Sequence, residues 1–114
     1  MPRPAAVRHR GPCPVQETLG VLGGKWAAPV VGRLARGEAR FGRLRTQVTD
    51  ARGAPVSSKA LAETLRRLVE VGAVERRARG AAVAYRLSPR GRDLVPLLDA
   101  LAEWAAGAAG RAPS

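Results

Sequence analysis

Apolar residues recur at helical spacing through most of the chain and switch once to alternation, between residues 74 and 87. Residues 57–72, SSKALAETLRRLVEVG, carry the clearest helical pattern. Leu61, Leu65, Leu68 and Val69 follow the i, i+4, i+7, i+8 spacing of one buried stripe. At about 100° per residue, Lys59, Glu63, Arg66 and Glu70 fall on the opposite side. Ser57 suits the N-cap, because its hydroxyl can satisfy an orphan N–H of the first turn. Gly72 stops the helix, because glycine takes the left-handed conformation at little cost. Such a helix can be held by its apolar side while its polar side enters a DNA major groove, or it can be an ordinary solvated surface helix.

Upstream, Val15, Leu19 and Leu22 predict a short helix over residues 13–22, with Pro14 at its first position and Glu17 near the positive end of the dipole. Gly23 and Gly24 break it. Trp26, Val30, Val31 and Leu34 predict a second helix over residues 25–36, with Pro29 near its first turn, where a missing N–H costs least. Phe41, Leu44 and Val48 share one side of residues 40–48, a third short helix or a strand residue followed by a helix. Arg40, Arg43 and Arg45 are left outside. Residues 49–56 are a turn-rich loop.

After Gly72 the period becomes 2. Residues 74–78 predict one strand, and Val83, Tyr85 and Leu87, alternating with Ala84 and Arg86, predict a half-buried second. Arg79, Gly80 and Ala81 make the tight connection of a hairpin. Its arginines Arg76, Arg77 and Arg79 fit a minor-groove or phosphate probe, and equally the charge that keeps an edge hairpin soluble. Ser88 and Pro89 open a last helix with the apolar stripe Leu94, Leu97, Leu98, Leu101, Trp104 and Ala105, which Pro96 should kink. Residues 1–12 read as a flexible basic arm, 13–106 as one domain and 107–114 as a flexible small-residue tail. The expected fold class is mainly α with a small β-hairpin.

Composition adds a partner. The 114 residues suffice for one domain with a real core, and 46% hydrophobic content is not that of a disordered chain. No apolar run approaches the ~18 residues of a membrane span, and the N-terminus lacks an apolar signal region. One cysteine fits a reducing cytoplasm. Lys and Arg number 20 against 9 Asp and Glu, a net charge of +11, and nucleic acid is the first acidic partner to consider. Only Lys25 and Lys59 are lysine, which fits GC-rich coding but leaves the basic excess unexplained. The single histidine, His9, lies in the arm, and no nucleophile–base pair, phosphate loop or metal-ligand cluster is present. The expectation is a protein that is not an enzyme and needs no metal or other cofactor.

The element order of three helices, a loop, a helix, a hairpin and a helix is that of a winged helix-turn-helix. Cys13-Pro14-Val15, Gly23 to Trp26, Arg40-Phe41 with Leu44-Arg45, Ser57 to Leu61, Leu65-Arg66, Gly72 with Val74-Glu75-Arg76, Tyr85, Leu87-Ser88 with Gly91, and Val95 to Leu101 before Trp104 together resemble the HxlR-type winged-helix transcription regulators of bacteria. The resemblance runs from Cys13 to Trp104. It implies a homodimer that binds an inverted-repeat operator in double-stranded DNA and usually represses. It puts helix 57–72 in the major groove, makes residues 74–87 the wing, and assigns the dimer interface to the first and last helices through Val15, Leu19, Leu94, Leu98, Leu101 and Trp104. Loop 49–56 is longer than the family usually has, which offers Arg52 a phosphate, and the wing is shorter, which favours phosphate contacts for Arg77 and Arg79.

Within that frame Ser57, Ser58 and Lys59 are expected at a phosphate. Arg66 is the candidate base reader, since a guanidinium can bond O6 and N7 of guanine together. Glu63 either accepts from a cytosine amino group or orients Arg66 or Arg67. Arg40 and Arg43 are expected at the DNA backbone. Cys13 follows Arg8, His9 and Arg10 at a helix N-terminus, which favours the thiolate. Some members of the family use a cysteine there as a thiol switch, and the alternative is an inert cysteine packed beside the dimer helices. Two other functions fit the same charge: a sequence-independent nucleic-acid binder, and a winged-helix protein-interaction module. No small-molecule effector is indicated.

Overall fold

The computed structural model describes residues 14–110. Cys13 and the arm 1–12 lie outside the described residues, as do residues 111–114 of the tail. The elements are α1 (Pro14–Leu22), α2 (Ala27–Leu34), β1 (Ala39–Arg40), α3 (Phe41–Gln47), α4 (Ser58–Glu70), β2 (Val74–Arg79), β3 (Ala82–Leu87), α5 (Pro89–Arg92) and α6 (Leu94–Gly110). This is the winged helix-turn-helix order, with one addition to the hairpin. β1 pairs antiparallel with β3, giving a three-stranded sheet in the order β1-β3-β2. The strand residue that opens segment 40–48 is therefore an edge strand of the wing sheet.

The core is aliphatic. Val30, Val31 and Leu34 of α2, Leu44 of α3, Leu61, Leu65 and Leu68 of α4, and Val74 and Leu87 of the sheet form one buried cluster. Each fully buried Leu or Val contributes about 1.5–3 kcal/mol by leaving water. Val69 departs from the expected stripe and is 38% exposed. Eight residues of helix rotate it about 80° from Leu61, on to the flank of α4.

Both ends of α4 are built as the sequence predicts. The Ser57 hydroxyl accepts the Ala60 N–H at 3.1 Å. At the other end Gly72 has φ +81°, its N–H donates to the Val69 carbonyl, and the Ala73 N–H donates to the Leu68 carbonyl. This is a Schellman motif, and its apolar contact is the buried pair Ala73 and Leu68. The hairpin turns in two residues, Gly80 and Ala81, with φ +64° at Gly80, the position where a II′ turn needs glycine.

The last helix breaks earlier than at its proline. α5 ends at Arg92 and α6 begins at Leu94, so Pro96 sits in the first turn of α6. The cause is still Pro96, which offers no N–H to the carbonyl four residues back and crowds it. The break thus falls one turn before the ring. α6 continues to Gly110, past the expected boundary at residue 106. Ala105, Ala106, Ala108 and Ala109 give that segment the strongest helix-forming residue available.

A buried serine joins the end of α4 to the last helices. Ser88 caps α5 by accepting the Gly91 N–H at 2.9 Å. Its hydroxyl donates to the Gly72 carbonyl, and its own N–H donates to the Ala73 carbonyl at 3.0 Å. α5 can approach this closely only because residue 91 is glycine. A Cβ there would lie 1.9 Å from the Ala73 carbonyl oxygen.

Candidate nucleic-acid interface

Helix α4 presents Lys59, Glu63 and Arg66 to solvent while its leucines anchor it. The first turn is already occupied by internal bonds. Ser57 caps the helix, and the Ser58 hydroxyl accepts from Arg45 at 2.9 Å. Arg45 thus ties α3 to the start of α4. Its spacing put it outside the core and gave no sign of this partner. Both hydroxyls act there as acceptors, which leaves each O–H able to donate to a phosphate at this end beside Lys59 and the backbone N–H groups of the first turn.

The two arginines of α4 diverge. Arg66 pairs with Glu70 at 3.1 Å, not with Glu63, and both carboxylate and guanidinium are exposed. Arg66, Glu70, Arg76 and Tyr85 line a shallow recess between α4 and the hairpin. Arg67 leaves the other flank and reaches the turn between α1 and α2, where a Cβ on Gly24 would lie 3.8 Å from it. A pair one turn-step apart therefore serves two different sides of the helix.

The loop between α3 and α4 is a small closed hairpin. Thr49 and Pro55 bridge, the Asp50 N–H donates to the Ala54 carbonyl, and the Asp50 carboxylate accepts from the N–H groups of Arg52 and Ala54. Lys25 reaches it at 3.3 Å. The Ala54 N–H, then the Arg52 N–H and the Lys25 ammonium, hold the Asp50 carboxyl below its ordinary value against the opposing effect of burial. Arg52 is exposed at the rim of this hairpin.

The remaining predicted arginines gather on the sheet. Strand register sets Arg40 and Arg77 on either side of Ala84, and Arg79 opposite Ala82. Directly paired residues share a sheet face, so these three arginines surround two alanines. Arg43 joins them from α3, and Arg33 of α2, which the sequence gave no reason to select, completes the wall. Arg79 approaches Glu38 at 3.8 Å, and Arg86 pairs across the strands with Glu75 at 2.8 Å.

The expected dimer residues divide into two groups. Leu94 and Leu98 pack against the core of their own chain, as does Val95 beside them. Val15, Leu19, Leu101 and Trp104 are exposed, Trp104 at 75%, and Leu97 joins them at 59%. A groove of about 460 Å³ between α1 and the start of α6 is lined by Val21, Leu22, Leu68, Val71, Leu94 and Leu97, with Arg90 and Asp93 beside them. Among the described residues, no cluster of three His, Cys, Asp or Glu side chains is placed to hold a metal, and no helix is long and apolar enough to cross a membrane.

Comparison with known proteins agrees with this architecture. Residues 21–112 match the family model described as HxlR-like helix-turn-helix. An uncharacterized HTH-type transcriptional regulator of Methanothermobacter thermautotrophicus is 30% identical over 95 residues, covering 81% of this chain and 69% of that protein. The solved structure of the HTH-type transcriptional regulator YtcD superimposes with a TM-score of 0.73 at 31% identity, over 85% of this chain and 97% of the other. The redox regulator HypR in its oxidized form superimposes with a TM-score of 0.68 at 31% identity, over 83% and 96% of the two chains.

Proposed function

The chain belongs to the HxlR-like helix-turn-helix family of transcriptional regulators, and on that premise we propose that it is a homodimeric repressor that binds an inverted-repeat operator through α4 and the wing. The observation that carries the reading is the construction of α4. It is capped at both ends and anchored by three buried leucines, and it offers Lys59, Glu63 and Arg66 outward. Rigid support of this kind lets side chains hold a fixed register against base edges. Arg66 reads a base, Arg40, Arg43, Arg77 and Arg79 hold phosphates, and Ser57, Ser58 and Lys59 set the end of the helix at the backbone.

The exposed apolar residues of α1 and α6 support the dimer. Leu97, Leu101 and Trp104 form one strip, and a stripe this apolar on so small a domain calls for a cover. Two-fold pairing through it sets two copies of α4 about 34–36 Å apart, one turn of the duplex. Similarity to HypR supports a thiol response through Cys13, the only cysteine of the chain. A disulfide formed by a lone cysteine must join it to a second chain or to a small thiol.

Fluorescence anisotropy at about physiological salt tests the reading, comparing the intergenic duplex beside the gene with a scrambled duplex of equal length. A preference of ~10³-fold or more is expected. Equal, salt-sensitive affinity for both duplexes would instead indicate the sequence-independent binder, and no binding at low salt the protein-interaction module. Diamide should weaken operator binding by wild type and leave Cys13→Ser unaffected. Equal affinity with and without diamide in both proteins would remove the thiol response.

A further inference from the structure

Beyond the reading helix lies a concavity of about 620 Å³, enclosed by the end of α2, by α3 and by one face of the sheet. We propose that it is a binding site for phosphate groups. Its walls carry Arg33, Arg40, Arg43 and Arg79, against the single carboxylate of Glu38. Its floor is Ala82 and Ala84 of the central strand, and the hollow exists because those side chains are small between long neighbours. Concavity and charge are thus separate features of one place.

The arginines are arranged to receive an anion. Arg33 is held from behind, its Nε donating to Gln47 at 2.5 Å and a terminal nitrogen to the Gly37 carbonyl at 3.1 Å. Arg40 and Arg43 form no ion pair among the described residues, and Arg79 has only the loose contact with Glu38. Four arginines lining one hollow repel one another, and a tetrahedral oxyanion relieves that repulsion while accepting charge-assisted bonds. The volume is ample for one or two phosphates and lies in the range of small-molecule sites. They come either from the backbone of bound DNA or from a free phosphorylated molecule, and only the first source depends on the DNA-binding reading.

Inorganic pyrophosphate is the probe, titrated into the full-length protein without DNA by calorimetry or ³¹P shift. Arg43→Ala removes a wall and Ala82→Leu fills the floor without changing the charge, while Arg36→Ala, outside the concavity, is the control. Wild type should bind, both pocket variants should bind about tenfold more weakly, and the control should match wild type. Duplex binding at several salt concentrations then separates the sources. If the phosphate is that of DNA, both pocket variants lower the slope of log K against log salt by about 0.9, and pyrophosphate competes with duplex. If it is a free molecule, the slope is unchanged. Pyrophosphate affinity reduced equally by Arg43→Ala and Arg36→Ala and untouched by Ala82→Leu would reduce the effect to general charge and overturn the proposal. So would an absence of pyrophosphate binding together with an unchanged slope.

Discussion

Gly91→Ala should destabilise the domain severely, against the expectation from helix propensity. Gly91 lies inside α5, and an exposed helical glycine replaced by alanine normally gains about 0.5–1 kcal/mol. Here the new Cβ would stand 1.9 Å from the Ala73 carbonyl oxygen and 2.8 Å from its carbon, both backbone atoms. α5 must retreat by roughly 1 Å or more, an overpacking cost of ~1–3 kcal/mol. Retreat also stretches the bonds Ser88 makes to Gly72 and Ala73, about 1 kcal/mol each, with a buried hydroxyl left short of partners. The total is ~3–5 kcal/mol, and Tm should fall by on the order of 15–25 °C. Differential scanning calorimetry of Gly91→Ala beside Gly32→Ala makes the comparison. Gly32 is also helical, and a Cβ there meets nothing within 4 Å, so its variant should be unchanged or slightly more stable. A Gly91→Ala protein as stable as wild type would refute the close packing of α5 on Ala73.

Four further outcomes follow from the same geometry. Ser57→Ala should cost ~1 kcal/mol in denaturant melts, because the Ala60 N–H loses its acceptor. Trp104→Glu should leave the thermal stability of the fold almost unchanged and convert the proposed dimer to monomer in sedimentation velocity, since Trp104 is exposed on its own chain; a variant that stays dimeric would remove α6 from the interface. Arg66→Ala should flatten discrimination at one operator base pair by ~1–3 kcal/mol, while Arg79→Ala should weaken operator and random duplex alike, as competition binding would read. Asp50→Asn should lower Tm at pH 7, and the difference from wild type should shrink as pH falls below the unfolded carboxyl value. The folded Asp50 carboxyl titrates below the unfolded value of about 3.9, so its contribution is present above that value and is lost as pH falls through the folded one.

The helices, the wing and the ends of α4 were legible because each is a local rule. Leu61, Leu65 and Leu68 declare a period, Ser57 a cap and Gly72 a stop, and none needs a distant partner to be recognised. β1 is two residues long and has no period. It exists because β3 offers Ala39 and Arg40 an open edge, which no reading of residues 39–40 alone could reveal. The break before α6 was legible in cause but not in place, because a proline acts on the carbonyl four residues behind it. Gly91 matched a family pattern, yet its physical reason sits at Ala73, eighteen positions earlier in the chain.

The arginines divide along the same line. All were visible as a basic excess, and spacing alone put Arg40, Arg43 and Arg45 outside the core. What spacing cannot assign is a partner, because a guanidinium on a long stem reaches several acceptors of nearly equal worth. Arg45 turned to Ser58, Arg33 to Gln47 and Arg66 to Glu70, each by proximity set in the tertiary fold. Such pairs on the surface are worth about 0–1 kcal/mol, too little to shape the fold and hence too little to leave a pattern in the sequence. The same pairs decide which cations stay available to an anionic partner. Arg45 is committed to bracing α3 against α4, whereas Arg40 and Arg43 are not committed to any carboxylate among the described residues. The helical period thus names the exposed face of α4, and the tertiary pairing decides which cations around it stay available to an anionic partner.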